Sequence, residues 1–341
     1  MVMAAGFGTR LLPLTDYLPK QLLPVANRPV LHHLINLLRG HGFAELGINI
    51  HHFADAFRAY FGDGSALGVS IRWSEEEELL GTAGGVKQLE DFWAGERFLV
   101  TSGDGLHDID LAAVVRQHER TGALATLVVK PVRDPSQYGV VVTDRTTRIV
   151  GFQEKPAPDE AEGNLASCGV YVLEPEVLEW IAAGEVTDFG RDVFPALLGD
   201  AAALHAFTTM SYWNDVGGLD DLRRGSLDAV SGRVAVEIPG EQLDAGIWAE
   251  DGCTIDATAT LEGPITIGRN VAIEGDSVIS GPCAIGAHSR IGVGAAIRSA
   301  VLLPGSVVPD DGLAVAGIFG DASSLATSVL RYPAGSTQTW L

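Results

Sequence analysis

Residues 4–20 read A-A-G-F-G-T-R-L-L-P-L-T-D-Y-L-P-K, and this string sets what the first part of the chain builds. Met1–Ala5 reads as the edge of a buried strand. Gly6 and Gly8 then let the backbone turn tightly and bring bare N–H groups near an anion. Arg10 adds a fork of donors that fits a phosphate. Pro13 and Pro19 stiffen the return, so Lys20 is presented on a constrained segment. A strand, a glycine turn and two cations so close together describe a phosphate cradle. A lone G-x-G would be only a turn, and it is the whole string that carries the reading.

Working outward, 341 residues predict two domains, and an apolar content of 46% supports large cores. No apolar run has membrane-spanning length, and no basic start followed by an apolar stretch is present, so the expected location is cytoplasmic. The three cysteines, at 168, 253 and 283, fit no disulfide framework or zinc spacing. The histidine pairs His32–His33 and His51–His52 read as structural or surface residues. No G-x-S-x-G elbow occurs. The net charge of −21 argues against nucleic acid and anionic membranes as partners. It also opposes any anionic substrate, so attraction must be local. Of the four lysines (Lys20, Lys87, Lys130 and Lys155), two fall inside candidate site motifs, and bound Mg²⁺ would offset much of the remaining repulsion.

Residues 1–230 alternate strand-like runs (44–50, 69–74, 97–101, 124–130) with amphipathic helices near 29–40, 53–61, 84–92 and 110–121. This predicts an α/β domain, Rossmann-like, with a mixed, mostly parallel sheet. Ligands bind such sheets outside the carboxyl ends of the strands. Shorter strands at 138–143, 148–153 and 166–173 then extend the sheet, followed by helices near 175–183 and 219–230. Residues 231–245 read as a linker.

From there the period changes. Ile255, Leu261, Ile267, Ile273, Ile279, Ile285, Ile291, Ile297 and Leu303 recur every six residues. A helix cannot keep such a stripe on one face, but a coil of short parallel strands can. The stripe resembles the hexapeptide repeat of left-handed parallel β-helices, and it predicts about three triangular turns over 246–318. Cys253 and Cys283 fall in the inward small-residue register, which predicts packing roles. The tail 319–341 carries no pattern.

Taken together, A-A-G-F-G-T-R…P-K, Gly81-Thr-Ala-Gly84, Tyr138-Gly-Val-Val141, Phe152-Gln-Glu-Lys-Pro156 and Trp213-Asn-Asp-Val-Gly217 resemble the motifs of the sugar-1-phosphate nucleotidylyltransferases, with G-T-A-G most similar to the mannose-1-phosphate guanylyltransferase branch. The resemblance covers nearly the whole chain. It implies attack of a sugar-1-phosphate oxygen on the α-phosphorus of an NTP, with pyrophosphate leaving, a reaction that needs positioning and charge stabilisation. Arg10 would hold the β/γ-phosphates, and Lys20 would neutralise charge at the α-phosphate. Ala5, Gly6, Gly8 and Thr9 would complete the phosphate loop. Gly81, Thr82, Ala83 and Gly84 would read the base through backbone groups; the bland alternative is a helix cap by Thr82. Asp104 and Asp215 would hold Mg²⁺. Gly139 would leave room for the sugar, Glu154 would accept from its hydroxyls, and Lys155 would bind its phosphate. The Glu75–Glu78 run reads as a solvated loop, and Asp108 and Asp110 as caps of the next helix.

One motif departs. Asn164-Leu-Ala-Ser-Cys-Gly169 stands where these guanylyltransferases carry N-A-G, so either Ser167 or Asn164 meets the sugar. Asn164 is taken as the ligand. An asparagine there is the pattern of thymidylyl-type relatives, but the resemblance as a whole implies mannose-1-phosphate or a similar hexose or cyclitol phosphate as acceptor, with GTP favoured as donor. Thymidylyl, adenylyl or uridylyl transfer to glucose-1-phosphate is the first alternative. An acyltransferase with His288 as base, or a silent regulatory paralogue, are the others. Apolar faces of the coil predict a homo-oligomer, dimer or tetramer.

Overall fold

The buried runs of the first half assemble into one sheet. The protein is described here by a computed structural model covering residues 1–93 and 95–331. Its strands are β1 (Val2–Met3), β2 (Glu45–Ile50), β3 (Ser70–Glu75), β4 (Phe98–Ser102), β5 (Ala125–Pro131), β6 (Gly139–Thr143), β7 (Ile149–Glu154), β8 (Leu165–Leu173) and β9 (Leu204–Thr208). The order is β7-β6-β8-β4-β1-β2-β3, with β5 beside β8 and β9 beside β5. Strands β1 to β4 pair in parallel. Parallel neighbours need crossovers, which α1 (Val30–Gly40), α2 (Ala54–Phe61) and α3 (Gly81–Lys87) provide. Strand β8 runs antiparallel to β4, β5 and β6, so the sheet is mixed. The next helices are α4 (Leu111–Thr121) and α5 (Leu219–Val230).

Two helices differ from expectation. The helix expected at 84–92 starts earlier and breaks into α3 and a separate turn, Glu90–Trp93. The helix expected at 175–183 is only a 3₁₀ segment, Pro175–Trp180, because Ile181 turns extended and buries its side chain.

Residues 247–319 form a left-handed parallel β-helix with three sheets. Ile255, Ile273 and Ile291 stack in one column, and Leu261, Ile279 and Ile297 in another. The sequence stripe fails at its last member. Ile285 stacks on Leu302, seventeen residues on, where Ile267 stacks on Ile285, eighteen on. One corner is a residue short, so Leu303 turns out of the column and packs into the first domain's core. The coil then continues through Val308 and Ala314, a further turn that the stripe did not reveal. Within the stretch read as linker, Glu241–Asp244 forms an edge strand antiparallel to Ile247–Ala249, the first strand of the coil. Cys283 is fully buried and Cys253 is partly buried, with its thiol on the Glu250 and Gly268 carbonyls.

The two parts share packing. Ala284, Val301, Leu303 and Leu325 join the apolar core beneath the first sheet. Arg28 donates twice to Glu250 at 3.0 and 2.9 Å, and Asn27 Nδ2 reaches the Ile285 carbonyl at 3.1 Å. Helix α6 (Ser324–Arg331) lies in the tail left unclassified and packs on α2; residues 332–341 of that tail lie outside the described residues. No described helix is long and apolar enough to cross a membrane.

Candidate functional site

Gly8 adopts φ 69°, a left-handed conformation, and the Lys20 side chain runs directly beneath it. A Cβ on Gly8 would stand 3.0 Å from Lys20 Cβ. The Lys20 ammonium lies 3.8 Å from the corresponding point on Gly6 and is bonded to Asp104 Oδ2. The cradle is therefore a loop wrapped over a lysine, and Gly8 is needed for the fit, whereas a Cβ on Gly6 would meet Lys20 only at ordinary contact distance.

Asp104 follows β4 at its carboxyl end, as parallel-sheet geometry favours. Its Oδ1 accepts from the Ser102 hydroxyl at 2.5 Å. Burial alone would push its carboxyl up. The Lys20 charge and hydrogen bond and the Ser102 hydroxyl outweigh that and hold it below the ordinary carboxylate range.

Asp215 arrives from more than a hundred residues away. A two-residue ladder pairs Trp213 with His107 and Asn214 with Leu106, which fixes the Asp215 turn against the Asp104 segment. Burial first, then repulsion from Asp104 and Asp221, raise the Asp215 carboxyl above its ordinary range, with Arg10 acting against them. Arg10 lies over Gly217, its Nη2 3.0 Å from where a Cβ would be, beside Asp215 Oδ2 at 2.9 Å from the same point. The group is thus an acidic pair offset by two cations, with oxygen donors suited to a hard divalent ion.

Arg10, Ser102, Asp104 and Asp215 line a solvent-open cavity of about 240 Å³, together with Thr82, Tyr138, Gly139, Phe152, Glu154, Lys155, Ser167, Gly169, Tyr171, Asp188, Gly190 and Trp213. Lys155 follows β7 with φ 44°, its ammonium 3.3 Å from Glu154 Oε1. The Tyr138 and Trp213 rings pack at 5.1 Å.

Several expectations are corrected. Gly139 leaves room for Phe152 and Glu154, whose atoms sit 2.6 and 3.2 Å from its would-be Cβ, so the space beside it already holds side chains. Asn164 is exposed just before β8 and does not line the cavity, whereas Ser167, three residues on, does. Alternation along β8 puts Ser167, Gly169 and Tyr171 on the cavity side, with a register shift between Ser167 and Tyr171. In the Gly81–Gly84 segment, the Ala83 and Gly84 N–H groups both donate to the Thr187 carbonyl, at 2.9 and 3.1 Å, and both residues are buried. Those amides are engaged with protein, and of the four residues only Thr82 lines the cavity. Thr82 is not the helix cap; Leu80 is. The Thr82 hydroxyl donates to Asp188 at 2.8 Å and accepts from the Phe189 N–H at 2.9 Å. Asp110 caps α4 through the Ala113 N–H, as expected. Asp108 instead accepts from the Tyr212 and Ala235 N–H groups. His288 sits at a coil corner with φ 61° and is not among the cavity-lining residues.

Glu76 was missed in the acidic run. It is 2% exposed, accepts from Asn49 Nδ2 at 2.6 Å and from the Leu80 N–H at 3.0 Å, while Asn49 Oδ1 accepts from Ala4 N–H at 2.9 Å. This chain of bonds ties the glycine loop to the start of α3. A polar Asn49 inside the buried run G-I-N-I was the available signal, since a buried amide needs a partner.

Fold and cavity define a nucleotide-handling α/β domain with an acidic pair at its strand ends and a β-helix behind it. The chain belongs to the nucleotidyl transferase family, whose model matches residues 1–231. It is 36% identical over 319 residues to the UTP–glucose-1-phosphate uridylyltransferase of Synechocystis sp., covering 89% of this chain and 82% of that protein. It is 36% identical over 278 residues to the mannose-1-phosphate guanylyltransferase of Mycobacterium tuberculosis, covering 80% and 76%. Mannose-1-phosphate guanylyltransferase 1 of Arabidopsis thaliana matches at 30% over 359 residues, covering 97% and 98%. Among solved structures, HddC from Yersinia pseudotuberculosis complexed with GMP-PN superposes with TM-score 0.56 at 22% identity, over 66% of this chain and 96% of that one, a likeness of fold.

Proposed function

We propose that the chain transfers a nucleotidyl group from an NTP to a sugar-1-phosphate, giving an NDP-sugar and pyrophosphate, with GTP and mannose-1-phosphate preferred. The observation that carries this reading is one cavity holding Arg10, Asp104 and Asp215 together with Glu154 and Lys155, with Lys20 bonded to Asp104. Arg10 binds the triphosphate tail and stabilises the departing pyrophosphate. Lys20 exchanges its bond to Asp104 for the α-phosphate, which frees a carboxylate oxygen. Lys155 holds the sugar phosphate, and Glu154 accepts from the sugar hydroxyls. An in-line displacement needs such pre-set charges rather than a protein nucleophile.

Asp104 and Asp215 would hold the Mg²⁺. The fit rests on their hard carboxylate oxygens, brought to one cavity. When bound, such an ion would supply positive charge against the substrate phosphates. The enzyme is proposed to be cytoplasmic and to assemble as a dimer or tetramer through its coil, where Val278 and Leu313 are exposed on one face.

A second reading, UTP with glucose-1-phosphate, is supported by the Synechocystis relative, 36% identical over 319 residues. Pyrophosphate release from four NTPs against a panel of hexose-1-phosphates separates the two. No release with any pair removes both.

A further inference from the structure

The residue between Trp213 and Asp215 is a buried amide with an unusual set of obligations. Asn214 is 3% exposed. Its Oδ1 accepts from the Val216 N–H at 2.9 Å, and its Nδ2 donates to the Asp221 carbonyl in α5 at 2.9 Å. Its backbone pairs with Leu106, two residues beyond Asp104. A Cβ on Gly225 would meet Asn214 Nδ2 at 3.0 Å, so the amide is wedged against the α5 backbone.

The turn it closes is strained. Val216 holds φ 42°, a left-handed conformation that a β-branched residue rarely takes. Such a conformation persists only when its surroundings over-determine it, and the Val216 N–H bonded to Asn214 is one such constraint. Asp215 sits inside that turn, half-buried, so the backbone of the turn decides where its carboxylate stands.

We propose that Asn214 is a positioning residue that holds Asp215 beside Asp104, so that a divalent cation meets two pre-set carboxylates. This rests on the nucleotidyl-transfer reading given above. The acceptor half of the amide clamps the Val216 turn, and the donor half ties that turn to the start of α5. A hydrophobic residue of similar size would fill the volume but supply neither bond.

The test uses Mn²⁺ alone, followed by water-proton relaxation on the full-length protein, alongside the Mg²⁺ dependence of pyrophosphate release. Asn214→Leu is expected to weaken Mn²⁺ binding at least fivefold and to raise the Mg²⁺ concentration for half-maximal rate by a similar factor, with partial recovery of kcat at saturating Mg²⁺. Asn214→Asp keeps the acceptor for Val216 but loses the donor to the Asp221 carbonyl, so it is expected to weaken Mn²⁺ binding measurably but less than Asn214→Leu; if Asn214→Leu does not fold, Asn214→Ser, with a shorter acceptor and no amide donor, is expected to weaken it at least as much as Asn214→Asp. Ser226→Ala, which removes the buried acceptor on α5 for the Ala26 N–H, lowers the melting temperature without changing metal dependence. Folded Asn214→Leu or Asn214→Ser with parental Mn²⁺ affinity and Mg²⁺ dependence overturns the proposal, as does an equal loss in Asn214→Asp. A parent protein that neither binds Mn²⁺ nor releases pyrophosphate fails the functional reading instead.

Discussion

Lys20 and Asp104 form an ion pair across a sequence separation of 84 residues, directly under the Gly6–Gly8 loop. The pair joins the cation nearest the loop to a carboxylate at a strand end, and it gives both residues a double role. Each supports the fold without ligand and is available to substrate when ligand arrives.

Lys20→Ala should lower kcat by about 100-fold or more, the scale of removing a charge stabiliser from a preorganised site. It also leaves Asp104 buried without its ammonium. Asp104 is held below its ordinary range in the folded protein, so its ionised form contributes stability above the unfolded value of about 4 and loses that contribution as pH falls through the folded value. The stability gap between parent and variant should thus be full above the unfolded value of about 4 and close as pH is taken progressively below it. Urea midpoints across that range measure it, and a constant gap would contradict the pair's contribution.

Asp215→Asn should separate stability from function. The Asp215 carboxyl is raised in the fold, so its ionised form costs stability at neutral pH, a cost relieved as pH drops through the raised value. Removing the charge should raise the melting temperature of the ligand-free protein by about 1–3 °C at neutral pH while activity is lost. A scanning-calorimetry comparison at neutral and mildly acidic pH should find the gain shrinking in acid.

Gly190→Ala tests the sugar side. The added methyl would stand 2.6 Å from Glu154 Oε2 and 3.1 Å from Phe152, so Glu154 must move. The expected result is a rise of about tenfold in KM for the sugar phosphate, with KM for the NTP unchanged, because small misplacements of positioning groups are costly. Steady-state kinetics with each substrate varied in turn would expose an equal effect on both, which this geometry does not allow.

Glu76→Ala removes the acceptor for Asn49 Nδ2 and the Leu80 N–H, both in buried surroundings. Two orphaned donors should cost about 2–4 kcal/mol of unfolding free energy, measurable by denaturant titration. A surface role, as the acidic run suggests, would leave stability within about 0.5 kcal/mol.

Much of this protein is written locally. The turn at Gly6–Gly8, the crossover helices and the six-residue stripe each arise from near-neighbour chemistry: backbone freedom at glycine, periodic burial, and corners that repeat. These determine an α/β domain followed by a coil, and they put Arg10, Lys20, Asp104 and Asp215 in view as residues of interest. Tertiary packing decided the rest. Alternation along β8 faces Ser167 to the cavity and leaves Asn164 exposed before the strand. The Ala83 and Gly84 amides were claimed by Thr187, a partner about a hundred residues away. One short corner moved Leu303 out of the coil and put Leu302 in its place. Glu76 was drawn inward by Asn49 on a neighbouring strand. Each outcome depends on which distant group reaches a polar or apolar atom first, and a linear pattern holds no record of that competition.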